Sequence, residues 1–392
     1  MNPSPEFPTA NGRVRVAPLA EVREMDAWQQ GLRNHTKDHR YYEIVADTLG
    51  FDCRAFVLED SSGRVLATQP FFFVEQDLVV TAPAWIQAPV GFVRRAFPSF
   101  LRLKMLMLGC AAGEGSLVRT EGPAALVEAL RATVLKAARA FGAKLVVWKD
   151  FPSGERTALK SLRSGPAGTR YVQIASMPAT RMNFDFATFD EYLERRLSRV
   201  TRKSVRRKYK VLADAPPITM TVTNTLGEEM DEALALYEQV FARSSLQFER
   251  LNREFLRQLS ARLPERVRYF LWRQEGRLVA FSLCLVHDGA IYDEYLGLDY
   301  RIALDLHLYF VTFRDVLTWA LSQGLKSYCS TPLSYDPKFH LGFDLAPLDL
   351  YFALPWPWMN VLAQPFMRYM SPTRAEPVLA SFANASEMEP AM

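Results

Sequence analysis

AFVLEDSSGRVLATQPFFFV, residues 55–74, and YFLWRQEGRLVAFSLCLVHD, residues 269–288, share one plan. Each is a run rich in β-branched and aromatic residues, a polar turn containing Gly-Arg, and a second such run, which is the pattern of a hairpin. Gly63 and Gly276 supply the turn conformations that hairpins need. Working outward, each hairpin follows a helical segment, near Glu21–Leu49 and near Glu228–Leu263. In the second of these Leu234, Tyr237, Phe241, Phe255 and Leu259 recur at helical spacing. The halves match again further on. PAALVEALRATVLKAARAFGAKLVVWKDF (123–151) reads as a helix closed by Gly142 and followed by a buried strand; DLHLYFVTFRDVLTWALSQGLKSYCS (305–330) reads as a helix closed by Gly324 and followed by another. The shared order of helix, hairpin, further strand, helix and strand predicts an α/β (α+β) architecture with a mixed central sheet in each half. It divides the chain into domains at 14–178 and 179–353, with a tail at 354–392.

A chain of 392 residues, 49% of them hydrophobic, is long enough for two packed cores. The formal net charge of +4 is too small for a nucleic-acid coat, so any anion binding has to come from local clustering. Cys53, Cys110, Cys284 and Cys329 are scattered through apolar runs with no CxxC pair, and the five histidines have no ligand spacing. This argues against a zinc ribbon or a disulfide framework and predicts core thiols in a reducing compartment, with no metal. A serine hydrolase is excluded by the lack of GxSxG. The start, MNPSPEFPTANGRVRV, has no secretory apolar region, and no apolar run approaches the ~18–20 residues of a membrane span. A cytoplasmic protein is expected. LPWPWMNVLAQPFMRYM (354–370) has the Trp, Phe and terminal Arg that suit a membrane interface, but its prolines favour a tail packed across the domain surface.

Three stretches carry a family resemblance. FATFDEYLERRLSRVTRKSVRRKYKVL (186–212) is a capped helix, with Thr188 and Glu191 at capping-box spacing, running into a basic segment. HDGAIYDEYLGLDY (287–300) is a strand bearing acidic residues, and GLKSYCSTPLSYDPKFHLGFDLAPLDLYF (324–352) holds a Y-x-x-K-x-x-x-G-F run. In this order they resemble the tandem-GNAT acyltransferases of the Fem type, the peptidoglycan-bridge aminoacyltransferases and their acetyltransferase-domain relatives. The likeness covers most of the chain. It implies two tandem GNAT-like acyl-CoA N-acyltransferase domains and transfer of an acyl group onto an amine.

Such a transfer needs an anchored donor, a polarised carbonyl, a neutral amine and an exit for protons. The resemblance puts the donor against the strand Ala290–Leu296, the loop Gly297–Leu304 and the helix from Asp305. Gly297 suits a close backbone approach, and Arg301, the cation of that loop, is the candidate donor phosphate contact. The loop lacks the Arg/Gln-x-x-Gly-x-Gly/Ala pattern of ordinary GNAT enzymes, a departure that Fem-type members share. Strand alternation puts Asp293 and Tyr295 on one side and Tyr292 and Glu294 on the other. Asp293 and Glu294 are either an edge feature or structural ion pair, or the groups that recognise the amine and take its proton. His307 is either a proton shuttle or a capped structural residue. Tyr292, Asp299 and Tyr300 are candidate substrate contacts near the donor loop. Tyr335, Asp336 and Lys338 are carried over by the resemblance as contacts beside the cleft; the alternative is an exposed turn whose Lys338 pairs with Asp336 or Asp344. In the first half GCAAGEGS (109–116) has the glycines of a phosphate cradle without the P-loop Lys-Ser/Thr, and reads as a flexible turn.

Between Arg195 and Lys210 nine of sixteen residues are Lys or Arg, with no acidic residue among them. On one continuous helix Arg195, Arg199, Arg202 or Lys203, Arg206 and Lys210 make a cationic stripe docked through Leu193, Leu197 and Val200. The stripe is a solvated face or an anion site. Arg202, Lys203 and Arg206 are the candidates for a coenzyme's phosphates; a transfer RNA or an anionic membrane surface are further partners. The span from Leu226 to Leu263 is too short for the coiled-coil arm of transfer-RNA-dependent Fem enzymes. Acyl-coenzyme A is therefore the first-ranked donor and aminoacyl-transfer RNA the second. The expected function is N-acyl transfer to the amine of a small molecule or of an envelope, lipid or secondary-metabolite precursor. The rivals are a transfer-RNA-dependent aminoacyltransferase and a non-catalytic protein with a basic anion-docking helix.

Overall fold

The computed structural model describes residues 5–10, 12–77, 84–95, 97, 102–120, 122–244, 247–367 and 371–389. The chain begins with β1 (Glu6–Thr9), β2 (Gly12–Pro18), α1 (Leu19–Val22), α2 (Asp26–Leu32), α3 (His39–Thr48), β3 (Asp52–Asp60) and β4 (Val65–Asp77). It continues through α4 (Ala84–Val93), β5 (Arg102–Leu108), α5 (Pro123–Ala140), β6 (Leu145–Pro152), α6 (Lys160–Arg163) and β7 (Val172–Ala175). A second series follows: β8 (Ala179–Asn183), α7 (Phe189–Arg196), α8 (Arg199–Ala213), β9 (Ile218–Thr223), α9 (Met230–Phe241), α10 (Arg253–Arg262) and β10 (Val267–Gln274). Then come β11 (Arg277–His287), β12 (Ala290–Leu298), α11 (Leu308–Ser322), β13 (Ser327–Ser330), α12 (Tyr335–His340) and β14 (Asp344–Ala346). β15 (Leu348–Ala353) and α13 (Pro357–Met367) complete it.

The strands form two mixed sheets, ordered β1-β2-β3-β4-β5-β6-β15-β7 and β14-β8-β13-β12-β11-β10-β9. Both contain the same core unit. An antiparallel meander, β2 to β5 or β9 to β12, is followed by a helix and a strand parallel to the last of the meander, β6 or β13. The hairpins anticipated from the two quoted stretches are β3–β4 and β10–β11. Glu275 and Gly276 both have positive φ, 50° and 79°, which makes the second a two-residue turn matched to strand twist. The helices before the parallel strands end alike: Gly142 and Gly324 take φ near 70° (73° and 69°), and the next residues, Ala143 and Leu325, donate back to Ala138 O and Ala320 O.

Contacts divide the chain into one unit of Met1–Ser176, Pro347–Arg374 and Met388–Met392, and another of Met177–Ala346 and Ala375–Glu387. Two expectations change here. The strand at 348–353, expected in the second domain, belongs to the first sheet, between β6 and β7. There buried Asp349 takes both Arg156 Nε (2.6 Å) and Nη2 (3.0 Å). The expected tail from 354 is likewise shared out, with residues 375–387 in the second unit. A strand's partner is chosen by a distant edge with room for it, which no local pattern announces. The helical segment at 228–263 is two helices, the second capped by Asn252 Oδ1 accepting from Phe255 N at 2.8 Å. The core of the second unit gathers Trp272, Phe270 and Val279 from the sheet with Leu308, Val311, Phe313 and Leu317 from α11.

Candidate active site

The register between β11 and β12 pairs Leu283 with Tyr295 but Cys284 with Asp293, leaving Glu294 as an extra residue. This is a β-bulge, and it reverses the alternation that the sequence predicts. Tyr295 lies edge-on to Tyr237 of α9, ring centroids 6.1 Å apart. Asp293 instead faces Tyr328, whose ring stacks on Phe313 of α11. The ladder between β12 and β13 ends at Asp293 and Ser330, whereas β12 runs on to Leu298. The two parallel strands therefore part just beyond Asp293.

At that point the carboxylate of Asp293 accepts from Ser282 Oγ (2.6 Å) and Cys284 Sγ (3.7 Å) on Oδ1 and from Tyr328 OH (2.7 Å) on Oδ2. Burial raises its pKa above the ordinary aspartate value, against the opposing pull of these hydrogen bonds and of Lys338. Burial also brings Lys338 down to about 8, while the charge of Asp293 acts in the other direction. Lys338 Nζ donates to Thr331 O and, at 2.8 Å, to Leu333 O, so it ties down the segment that leaves β13. Leu333 and Ser334 in that segment have φ of 76° and 53°, a conformation that needs such support. A carboxyl with raised proton affinity, set where strands separate, has the chemistry of a proton acceptor for an amine. Ser282, Cys284 and Tyr328 escaped the sequence reading. Ser282 and Cys284 do carry a signal, since they put two polar atoms on one face of the apolar run FSLCLV.

The other candidates divide. Glu294 is buried within the bulge, and Tyr292 is partly buried on the same strand. Gly297 does approach a backbone closely, but that of α9: a Cβ there would lie 2.7 Å from Tyr237 N and 2.9 Å from Leu236 Cβ. Its requirement is helix packing rather than donor binding. Asp299, expected to contact substrate, is buried and bonded to Arg301 Nε (2.9 Å), Arg301 Nη2 (2.8 Å) and Arg277 Nη2 (3.0 Å). The hydrogen bond from Arg301 is the main reason its pKa is lowered. Arg301 is thus oriented by Asp299 while its side chain stays largely exposed. Tyr300 stacks under Arg243, 4.0 Å from guanidinium carbon to ring centre. Tyr335 is buried and donates to Pro178 O at 2.8 Å, a structural role. Asp336 is exposed, 3.7 Å from His340 Nε2, and so is not the partner of Lys338. His307 sits at the N-cap of α11 with φ of 50°. Its pKa is lowered by burial and then by Lys208 and Arg207, which favours neutral imidazole.

The basic run is two helices, not one. α7 ends at Arg196, and Ser198 caps α8 by accepting from Thr201 N at 3.1 Å. Val200, expected to dock the stripe, is 80% exposed; Val205, Tyr209 and Leu212 face the core. Tyr209 OH donates to Phe310 O at 3.1 Å, and Lys208 Nζ lies 4.5 Å from the Phe310 ring centre. These contacts bring Arg207, Lys208 and His307 together at the start of α11. Among the described residues Arg199, Arg202, Lys203, Arg206 and Lys210 form no ion pair with a carboxylate.

The matching place in the first unit is filled by its own chain. The β5–β6 ladder ends at Leu108 and Trp148. Gly115 N then donates to Asp150 O (3.0 Å) and Lys149 Nζ to Gly113 O (2.8 Å). A Cβ on Gly115 would meet Lys149 O at 2.3 Å. The glycines of residues 109–116 serve this inward fold of the loop.

Residues 199–336 match the family model of the acetyltransferase (GNAT) domain. FemX, 12% identical, superposes with a TM-score of 0.50 over 89% of this chain and 98% of that one, which establishes a shared fold. L-PGS from Bacillus licheniformis is 13% identical with a TM-score of 0.47, covering 86% of this chain and 96% of that one. A tandem GNAT protein from the clavulanic acid biosynthesis pathway is 10% identical with a TM-score of 0.45, covering 88% and 99%. No curated protein sequence matches the chain.

Proposed function

Taking the chain as an acyltransferase of the tandem-GNAT, Fem-like kind, we propose that its second unit moves an acyl group from an acyl-coenzyme A thioester to a primary amine on an envelope, lipid or metabolite precursor. The observation that carries this reading is Asp293, a carboxyl with raised proton affinity at the point where β12 leaves β13. The donor carbonyl would lie along Glu294–Leu298, where strand N–H groups can hold the oxyanion. The amine nitrogen bonds to the acyl carbon, its surplus proton passes to Asp293, and the carbon–sulfur bond breaks to release the thiolate. Tyr328 and Ser282 hold the carboxylate in place, and Lys338 keeps the Thr331–Leu333 segment beside it. Arg301 and the start of α8 supply cations for the donor's phosphates.

The uncompensated cations of α8 favour a second reading, an aminoacyl-transfer RNA donor, which would engage more of them than a coenzyme does. A thermal-shift titration with acetyl-coenzyme A, longer acyl-coenzyme A species and aminoacylated transfer RNA at low and high salt tests both. Stabilisation by a thioester that persists at high salt is expected. Stabilisation by transfer RNA alone, lost at high salt, would replace the first reading with the second.

A further inference from the structure

The helix α13, PWMNVLAQPFM, is amphipathic in the inverted sense. Its polar residues face the protein: buried Asn360 accepts from Leu354 N (3.0 Å) and donates to Arg170 O (2.9 Å) and Gly168 O (3.3 Å), and Gln364 Nε2 donates to Ala167 O at 2.8 Å. Four of its large apolar residues face outward, with Trp358 66%, Leu362 72%, Phe366 72% and Val361 45% exposed, while Met367 at its end is buried. Their spacing, i, i+3, i+4 and i+8, gathers them on one face. The seat is close: a Cβ on Gly168 would meet Pro357 Cβ at 2.7 Å. The helix is held in this orientation by the Asn360 and Gln364 bonds, which turning its apolar side inward would break. A rigid outward apolar face of this kind marks a surface that something else covers.

The surroundings specify what covers it. α13 contains no charged residue. Exposed cations stand at its N-terminal end and beneath it: Arg139 Nη1 donates to Pro355 O (2.7 Å), Lys144 Nζ lies 4.9 Å from the Trp356 ring centre, and the Arg170 carbonyl carries Asn360. Apolar side chains that include Trp and Phe, rimmed by Lys and Arg, match the headgroup boundary of an anionic bilayer, where the rings enter the acyl edge and the cations meet phosphate. We infer that α13 docks the protein on an anionic lipid surface, lying flat with Trp358, Leu362 and Phe366 inserted. Among the described residues no helix is long and apolar enough to cross a membrane, so the contact is peripheral. It is independent of the acyl-transfer reading, since every residue involved belongs to the first unit.

Co-sedimentation of the full chain with phosphatidylcholine vesicles, with and without phosphatidylglycerol, tests the inference. Wild type should pellet with the anionic vesicles. The combined variant Trp358→Ser, Leu362→Ser, Phe366→Ser should lose partitioning by about tenfold or more. Because these side chains are exposed, its melting temperature should stay unchanged. Lys144→Gln with Arg170→Gln should reduce the preference for phosphatidylglycerol without abolishing binding. Wild type that stays in the supernatant, or a serine variant that pellets as well as wild type, overturns the inference. A wild-type dimer that the serine variant dissociates, with no vesicle binding, overturns it too and makes the face a contact between copies.

Discussion

Tyr328 on β13 donates its phenolic proton to Asp293 Oδ2 on β12 at 2.7 Å, joining the two parallel strands at the place where their ladder stops. With Ser282 on β11 holding the other oxygen, three adjacent strands converge on one carboxylate. The acid is thereby fixed in direction, while burial, against the pull of these hydrogen bonds, sets its raised proton affinity.

Asp293→Asn should lower kcat by about 10²–10⁴-fold, the usual loss when a general base is removed. Glu294→Gln, altering a residue buried in the bulge, should leave more activity. The two variants assayed singly, with unfolding midpoints measured alongside, separate a chemical role from a structural one. Unchanged turnover in Asp293→Asn would remove it from the mechanism.

The raised pKa of Asp293 also has a stability consequence. A carboxyl whose pKa is higher in the folded state contributes stability below its ordinary value, and that contribution is lost as the pH rises through the raised one. Asp293→Asn should therefore gain stability relative to wild type at pH 7 and show little difference near pH 4. Thermal melts at the two pH values check the sign.

Glu155 makes a parallel case in the first unit. Burial raises it to about 7, against a hydrogen bond from Leu117 N. Its contribution is complete below its ordinary 4.5 and disappears as the pH passes through about 7. Wild type should lose melting temperature between pH 5 and pH 8 relative to Glu155→Gln. Parallel curves for the two proteins would remove Glu155 as the source.

Gly297→Ala forces a methyl group against Tyr237 N and Leu236, with backbone on the other side that cannot rotate away. Overpacking of this kind costs about 1–3 kcal/mol. Urea unfolding should show a lower midpoint with an unchanged slope.

On α8, Lys203→Gln, Arg206→Gln and Lys210→Gln together should leave stability unchanged or raise it by a few tenths of a kcal/mol, through relief of like-charge repulsion. If transfer RNA is the donor, the slope of log affinity against log salt should fall by about two to three. Coenzyme binding should change far less. Filter binding and calorimetry read the two arms.

Local patterns sufficed for the duplicated plan: the two hairpins, the glycine-closed helices before β6 and β13, and the mixed sheets are all legible because period, turn chemistry and capping act over a few residues. The acidic pair on β12 was visible in the strand pattern, whereas the Tyr335–Lys338 run was singled out through the family resemblance. What Asp293 faces was not. A single bulge at Glu294 reverses the alternation, and its position depends on the pairing partner β11. Likewise Asp299 and Gly297 took structural duties because Arg277 and α9 arrive from elsewhere in the chain. Residues 348–353 were expected within the second domain, but their place between β6 and β7 was decided by pairing with strands far away in the chain. The sequence by itself determined the duplicated plan of hairpin, helix and strand and where the unusual side chains lie, but not that the basic run and residues 228–263 each break into two helices. Only the tertiary structure decided which of those side chains meet, because register, bulges and burial are set by contacts between segments far apart in the chain.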